Sequence, residues 1–201
     1  GVGATVQPLD SVLLKPGSCG KLLRGMQLRL VEPGGTEDVP EGEVGEAWIS
    51  GTSVTPGYWN KPLEEAFTDG WYRSGDALRR DEDGFYHFVG RYKEMFKSGG
   101  ESVFPAEIER VLFQHPAVDE VAVLAVPDEK WGDVGLAVVV ATPGKQPSEN
   151  ELVDFCRERL ARYKIPKSFR VVDALPRNAT GKVIKADLRA QLANLSDGTQ
   201  A

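Results

Sequence analysis

With 201 residues, 41% of them hydrophobic and 27% charged, the chain is long enough to bury a core in one large or two small domains. Its formal charge of −6 excludes a general nucleic-acid binder, which would be basic overall, and no run of about 18 apolar residues offers a membrane span. Two cysteines, Cys19 and Cys156, are too few for a disulfide framework and fit a reducing, cytoplasmic setting, and GVGATVQPLD lacks the pattern of a signal peptide.

From Lys15 to Ser50 short strands separated by turn chemistry are expected: LRGMQLRLVE, the polar turn EPGGTEDVPEGEVG, then EAWISG. Within them Gln27 to Val31 alternates polar and apolar, as a half-buried strand does. Pro62 to Phe67 is predicted as a short helix. Trp71-Tyr72-Arg73 reads as a strand feeding Asp76, with Asp81 to Gly84 as a hairpin turn and Phe85 to Val89 as the returning strand. The pattern changes after Arg91, and a domain boundary is expected at Tyr92 to Glu94.

Pro105 to Gln114 is predicted as a helix, with proline in its first turn and Ile108, Val111 and Leu112 on one face. Val118 to Val126 and Val134 to Thr142 are nearly continuous apolar runs of strand length, joined by the polar loop Pro127 to Asp133. Ser148-Glu149-Asn150-Glu151 reads as a capping box opening a helix through about Arg162, which places Cys156 as a packed thiol rather than a nucleophile. Ser168 to Val172 and Ile184 to Leu195 add a last strand and a terminal helix. The order α, β, β, α, β makes a compact α+β domain, followed by a loose tail from Ser196 to Ala201.

The residues that carry chemistry are concentrated. Asp76 follows Ser74-Gly75, Arg91 follows Gly90, Lys93 and Lys97 lie four apart, and Gly99-Gly100 comes next. A carboxylate only accepts hydrogen bonds and can take both hydroxyls of a ribose diol, while arginine offers five donors in a fixed fork. A Gly-Gly turn lets backbone N–H groups approach a ligand. The plainer reading of Asp76 is a turn cap; Arg91 at the end of the following strand favours the ligand role. Lys182, in LPRNATGK, carries an ammonium able to bridge a phosphate and a carboxylate, the alternative being a solvated lysine beside a turn glycine. A G-x-x-x-x-G-K-[ST] phosphate loop is ruled out there, because the first glycine is missing and Val183 stands in place of the hydroxyl residue. Arg157, Arg159, Arg162, Lys164, Lys167 and Arg170 stand against the single acid Glu158; such a patch holds phosphates, touches an anionic membrane, or is a solvated helix face. Trp131 is either a base-stacking platform or a half-buried core residue. His87 and His115 have no metal-ligand spacing, so no metal site is assigned.

The order GYWN, TDGWYRSGD, GFYHFVGRYKEMFKSGGESVFPAEIE and LPRNATGK closely resembles the adenylate-forming (AMP-binding) superfamily, which includes acyl-CoA synthetases, luciferases and peptide-synthetase adenylation domains. The resemblance runs from Gly1 to about Leu192. It implies that residues 1–92 are the last β-rich, barrel-like part of a large AMP-binding domain, residues 93–195 a small mobile α+β domain, and residues 196–201 a tail. The implied reaction joins a carboxylic acid to ATP, giving an acyl-adenylate and pyrophosphate; coenzyme A then takes the acyl group and AMP leaves. The resemblance also implies that Asp76, Arg91 and Lys182 bind ATP or AMP, that Lys182 is catalytic and that Lys93 is a hinge. Lys97, Ser98, Gly99, Gly100 and Glu101 then line the path of coenzyme A, with Lys167 on its phosphates and Mg²⁺ travelling with ATP. Some CoA-forming relatives carry arginine where Ser102 stands, which removes one phosphate contact. KSGGESVFPAEIE with LARYKIPK resembles fatty or medium-chain acyl-CoA ligases most. The family's phosphate loop and acyl pocket are not among these residues, so a fragment inactive alone is expected. Two alternatives stay open, a noncatalytic nucleotide- or CoA-binding fragment and an adenylation domain serving a carrier protein.

Overall fold

The computed structural model describes residues 3–197, and its chain divides into two compact units, Gly1–Lys93 and Glu94–Ala201. The first is an antiparallel sheet of β1 (Thr5–Val6), β2 (Ser18–Leu22), β3 (Met26–Val31), β4 (Val44–Gly51), β5 (Phe67–Thr68), β6 (Trp71–Arg80) and β7 (Tyr86–Arg91). The strands run in the order β1-β2-β7-β6-β4-β3, with β5 paired to β6. Alternation in β3 has the expected effect: Leu28 lies opposite Ile49 and Leu30 opposite Ala47, and these side chains pack with Met26, Leu78 and Tyr86 on one face.

The helix expected over Pro62 to Phe67 is a single 3-10 turn, Leu63–Glu65, followed by a strand. Asp69 and Gly70 have φ of 48° and 79°, the two positive values that a two-residue hairpin loop requires, so Thr68 pairs with Trp71 and Phe67 is drawn into the sheet.

The β6–β7 turn is organised by Asp81. Its Oδ1 accepts from the amides of Asp83 at 3.1 Å and Phe85 at 2.9 Å, and its Oδ2 lies 2.9 Å from His87 Nε2 and 3.0 Å from Lys15 Nζ. The His87 hydrogen bond above all, with the Phe85 amide and Lys15, holds this carboxyl well below the usual range against the opposing effect of burial. A depressed folded pKa contributes stability above the unfolded value of about 3.9, and that stability is lost as pH falls towards the folded value. Asp81→Asn is therefore expected to lower the melting temperature at neutral pH and to flatten its fall below about pH 4. Melting curves across that range check this, and an acid limb as steep as that of the parent would sink it.

The second unit comprises β8 (Phe96–Ser98), β9 (Glu101–Val103), α1 (Pro105–Leu112), β10 (Val118–Asp128), β11 (Gly132–Ala141), α2 (Glu149–Arg157), β12 (Ser168–Val172) and α3 (Lys185–Asp197). Its sheet runs β10-β11-β8-β9, with β12 parallel to β11. Val123, Val139 and Phe169 pack against Ile108, Leu112, Leu152 and Cys156 on one face, while Leu124 and Val138 pack against Leu175 and Leu188 on the other. Burial on both faces is why β10 and β11 read as unbroken apolar runs. Cys156 is fully buried, and burial pushes its thiol up to about 11, as a packed thiol requires.

Both central helices end sooner than their patterns predict. α1 stops at Leu112 ahead of a turn in which the His115 amide bonds Leu112 O, and Pro116 disfavours helical geometry just before it. α2 stops at Arg157, where the amides of Arg159 and Leu160 both turn back to Cys156 O, which lets Leu160 pack against the α1 face of the core. Only half of the capping box forms: Ser148 Oγ accepts from the Glu151 amide at 3.2 Å, but the Glu151 carboxylate lies 3.4 Å from Nε2 of buried His115. The β8–β9 hairpin was absent from the expected order. The tail expected from Ser196 begins inside α3, which runs through Asp197, and its residues 198–201 lie outside the described residues.

Candidate nucleotide and thiol-acceptor sites

In the first unit, β6 and β7 place Asp76 directly opposite Arg91, with Arg91 Nε 2.9 Å from Asp76 Oδ1. A second guanidinium nitrogen of Arg91 donates to Ser74 O at 2.8 Å. Ser74-Gly75-Asp76 is a local twist inside a continuous strand rather than the turn expected: Gly75 has φ of 70°, its amide donates to Glu46 Oε1 at 3.1 Å, and the Asp76 amide donates to Ser74 Oγ at 3.0 Å. Asp76 thus caps no turn. Its Oδ2 has no hydrogen-bond partner among the described residues, leaving an acceptor open beside the arginine. Burial pushes the Asp76 carboxyl up, Arg91 pulls it back, and Glu46 adds to the upward push.

This pair borders a cavity of about 540 Å³ whose other walls include Ile49, Val54, Tyr58 and Tyr72. The two phenols meet at 3.0 Å, and that bond leads the effects that push Tyr72 up to about 12. An open carboxylate acceptor, an arginine fork and two phenols over an apolar wall suit a polyhydroxylated ring. Glu46, whose carboxylate accepts from the Gly75 amide, has no counterpart among the residues expected from the sequence, because neither glutamate of GEVGEAWIS stands in a pattern that signals a ligand.

In the second unit, Lys182 is exposed and follows Gly181, whose φ is 82°. Among the described residues no partner is found for its ammonium. The loop that carries it is closed by the bridge between Arg177 and Val183. Lys93 is exposed in the 3-10 turn Tyr92–Glu94 and is the last residue of the first unit.

The residues expected on coenzyme A are brought together in part. Ser98, Gly99, Glu101 and Lys167 line a cavity of about 640 Å³ together with Trp131 and Arg162, whereas Lys97 and Gly100 are not among its lining. Lys97 Nζ instead donates to Ser102 Oγ at 2.8 Å. Gly99 and Gly100, with φ of 59° and 90°, form the two-residue turn of β8–β9. The Gly99 amide is taken by Trp131 O at 2.8 Å, so it is not free for a ligand as expected, and a Cβ there would come 2.9 Å from the indole. Trp131 is 46% exposed, which makes it a cavity wall rather than a core residue.

Much of the basic run is neutralised. Arg157 pairs with Asp154, Arg159 with Glu158, Lys164 with Glu107 at 2.8 Å, and Lys167 with Asp128. The Lys167 ammonium holds the Asp128 carboxyl below its usual range. Arg162 and Arg170 have no such partner among the described residues, and Arg162 faces the cavity. Sequence proximity could not single it out.

The family model described as the AMP-binding enzyme C-terminal domain matches residues 107–182, and that of the AMP-binding enzyme matches residues 1–59. A feruloyl-CoA synthase of Amycolatopsis sp is 44% identical over 189 residues, covering 93% of this chain and 38% of that protein. The chain belongs to the adenylate-forming AMP-binding superfamily. Its relatives are acyl- and aryl-CoA ligases, among them a long-chain-fatty-acid–CoA ligase of Mycobacterium tuberculosis, 41% identical over 94% of this chain and 37% of that enzyme. The o-succinylbenzoate CoA synthetase of Bacillus subtilis, solved with its acyl-adenylate intermediate, superposes with a TM-score of 0.85 at 38% identity over 92% of this chain and 38% of that one. The same synthetase with ATP and a magnesium ion superposes with a TM-score of 0.84. The chain therefore has the α+β architecture of the matching part of those structures and spans a little over a third of its relatives' length. No helix among the described residues is long and apolar enough to cross a membrane.

Proposed function

We propose that this chain supplies the ribose clamp, the hinge and the catalytic lysine of a cytoplasmic AMP-forming acid:CoA ligase. The observation that carries the reading is the Asp76–Arg91 pair, joined across β6 and β7 with one carboxylate oxygen left open at the edge of a cavity. The ribose hydroxyls of ATP donate to Asp76, while Arg91 holds the carboxylate ionised and oriented. In the first half-reaction a carboxylate oxygen of the acid attacks the α-phosphorus and pyrophosphate leaves; the Lys182 ammonium offsets the charge gathering on the phosphate oxygens. In the second, the thiol of coenzyme A attacks the acyl carbon, loses its proton, and AMP leaves. Mg²⁺ accompanies the ATP phosphates and supplies charge neutralisation there. Lys93 is the hinge used between the two steps. Coenzyme A is received along Lys97 to Glu101, with Trp131 as a stacking face, Arg162 as the unpaired cation, and Lys167 exchanging Asp128 for a phosphate of the ligand. The CoA-ligase names of the relatives support free coenzyme A over a carrier protein as acceptor. The acid is read as a fatty or medium-chain one, in line with the similarity to a long-chain-fatty-acid–CoA ligase, while the feruloyl-CoA synthase, at 44% identity, favours an aromatic acid as the second reading.

Asp76→Ala tests this reading. Hydrogen bonds to a charged group contribute about 1.5–3 kcal/mol, so ATP affinity of the full-length enzyme should fall roughly ten- to hundredfold with its melting temperature little changed. Titration calorimetry with ATP measures it. Unchanged affinity together with a lowered melting temperature would show that Asp76 only braces the strand.

A further inference from the structure

Between β12 and α3 the chain makes a tight loop from Arg177 to Val183, and Asn178 holds it from inside. Asn178 Oδ1 accepts from the Thr180 amide at 3.1 Å, from the Thr180 hydroxyl at 2.8 Å and from the Lys182 amide at 2.9 Å. Two of these three donors are backbone N–H groups, which cannot accept, so the side-chain oxygen and not the nitrogen must face them. The Asn178 amide in turn donates to Lys182 O at 2.9 Å. Both backbone polar groups of Lys182 are therefore bound to one residue.

Arg177 ties the same loop to the sheet. Its guanidinium donates to Gly181 O at 2.5 Å and to the carboxylate of Glu120, in β10, at 2.6 Å. The Lys182 side chain has no partner among the described residues, so whatever places its ammonium must act through its backbone. A lysine stem has four rotatable carbon bonds and delivers its charge reproducibly only if its Cα is fixed.

We propose that Asn178 is a positioning residue for Lys182, setting the backbone from which the ammonium reaches the reacting phosphate. This rests on the catalytic reading of Lys182. The plainer alternative is an Asx turn that only stabilises the loop, and it differs in what it predicts.

In the full-length enzyme, Asn178→Ala is expected to lower kcat for acyl-adenylate formation by about ten- to hundredfold. It should leave KM for ATP and the reaction of supplied acyl-adenylate with coenzyme A unchanged. Asn178→Asp keeps an acceptor oxygen in place and should recover most of the lost rate. In the 201-residue chain, hydrogen exchange at the Thr180 and Lys182 amides should quicken in the alanine variant and not in the aspartate variant. Faster exchange with an unchanged adenylation rate overturns the proposal, as does a proportionate loss of both half-reactions, or equal impairment by alanine and aspartate. Lys182→Ala, run alongside, isolates the premise: full adenylation without that lysine overturns the catalytic reading and this inference with it, whereas its loss beside an active Asn178→Ala overturns this inference alone.

Discussion

Replacing Lys182 with alanine in the full-length enzyme is expected to reduce acyl-adenylate formation by at least about a hundredfold, while supplied acyl-adenylate still reacts with coenzyme A. The expectation follows from where the ammonium stands. Lys182 is exposed, and no carboxylate among the described residues neutralises it, unlike Lys164 and Lys167, which are paired with Glu107 and Asp128. Its backbone is held at both the amide and the carbonyl, so the charge is delivered from a fixed point. Charge gathers on the α-phosphate as the acid attacks and again as AMP leaves, but Lys182 lies in the second unit, which the proposed hinge turns between the two steps, so its ammonium answers the charge of the first step and contributes little to thiol attack on the acyl carbon. Arginine at this position should rescue poorly, since its planar fork does not replace a compact ammonium. Acid-dependent pyrophosphate release measures the first step and acyl-CoA formation from added adenylate the second. Full adenylation in the alanine variant would remove Lys182 from the mechanism.

Lys93→Pro should show the opposite defect, with adenylation largely retained and thioester formation slowed by about tenfold or more. Proline fixes φ near −65°, a value that a 3-10 turn such as Tyr92–Glu94 accepts, so the turn seen in the structure is compatible with it at residue 93. What proline prevents is a change of φ. The next residue offers no substitute pivot, because the Glu94 carboxylate is bound by Lys185 at 3.0 Å, Lys185 reaches Glu109 at 2.9 Å, and Glu109 accepts from the Val123 amide of β10 at 2.8 Å. Glu94 is thus tied to the second unit, and on the hinge reading the rotation falls to the bonds of Lys93. Proline also biases Tyr92 away from helical geometry, so a melting curve is recorded beside the kinetics to separate local misfolding from a blocked rotation. The same two half-reaction assays read the result. If Lys93→Pro and Lys182→Ala lose the same step, Lys93 is not a hinge.

Several elements were readable because their signals are local. Asp81 to Gly84 forms a hairpin turn, β12 spans Ser168–Val172 as expected, and the unbroken apolar runs of β10 and β11 reflect a sheet covered on both faces. Two turns are flanked by strands that were not expected. Thr68-Asp69-Gly70 makes a two-residue hairpin where a helix was expected to end, and the Gly99-Gly100 turn closes a hairpin of β8 and β9. In both, the glycine-containing pair flanked by strand formers was the sign, and its consequence is a strand on either side.

The sequence by itself determined which chemistry each position can offer: a carboxylate at 76, a fork at 91, an ammonium at 182, and left-handed turns at Gly99-Gly100 and Gly181. Side-chain chemistry and turn preference are properties of residues and their near neighbours. Only the tertiary structure decided which of those groups remain available. Glu46 reaches Gly75 from 29 residues away, Glu107 neutralises Lys164 across 57, and Asp128 takes Lys167 across 39. Trp131 takes the Gly99 amide, and Arg162 is left facing the cavity. Whether a charge is spent or free depends on distance through space, and strand register and helix packing bring those partners within bonding range.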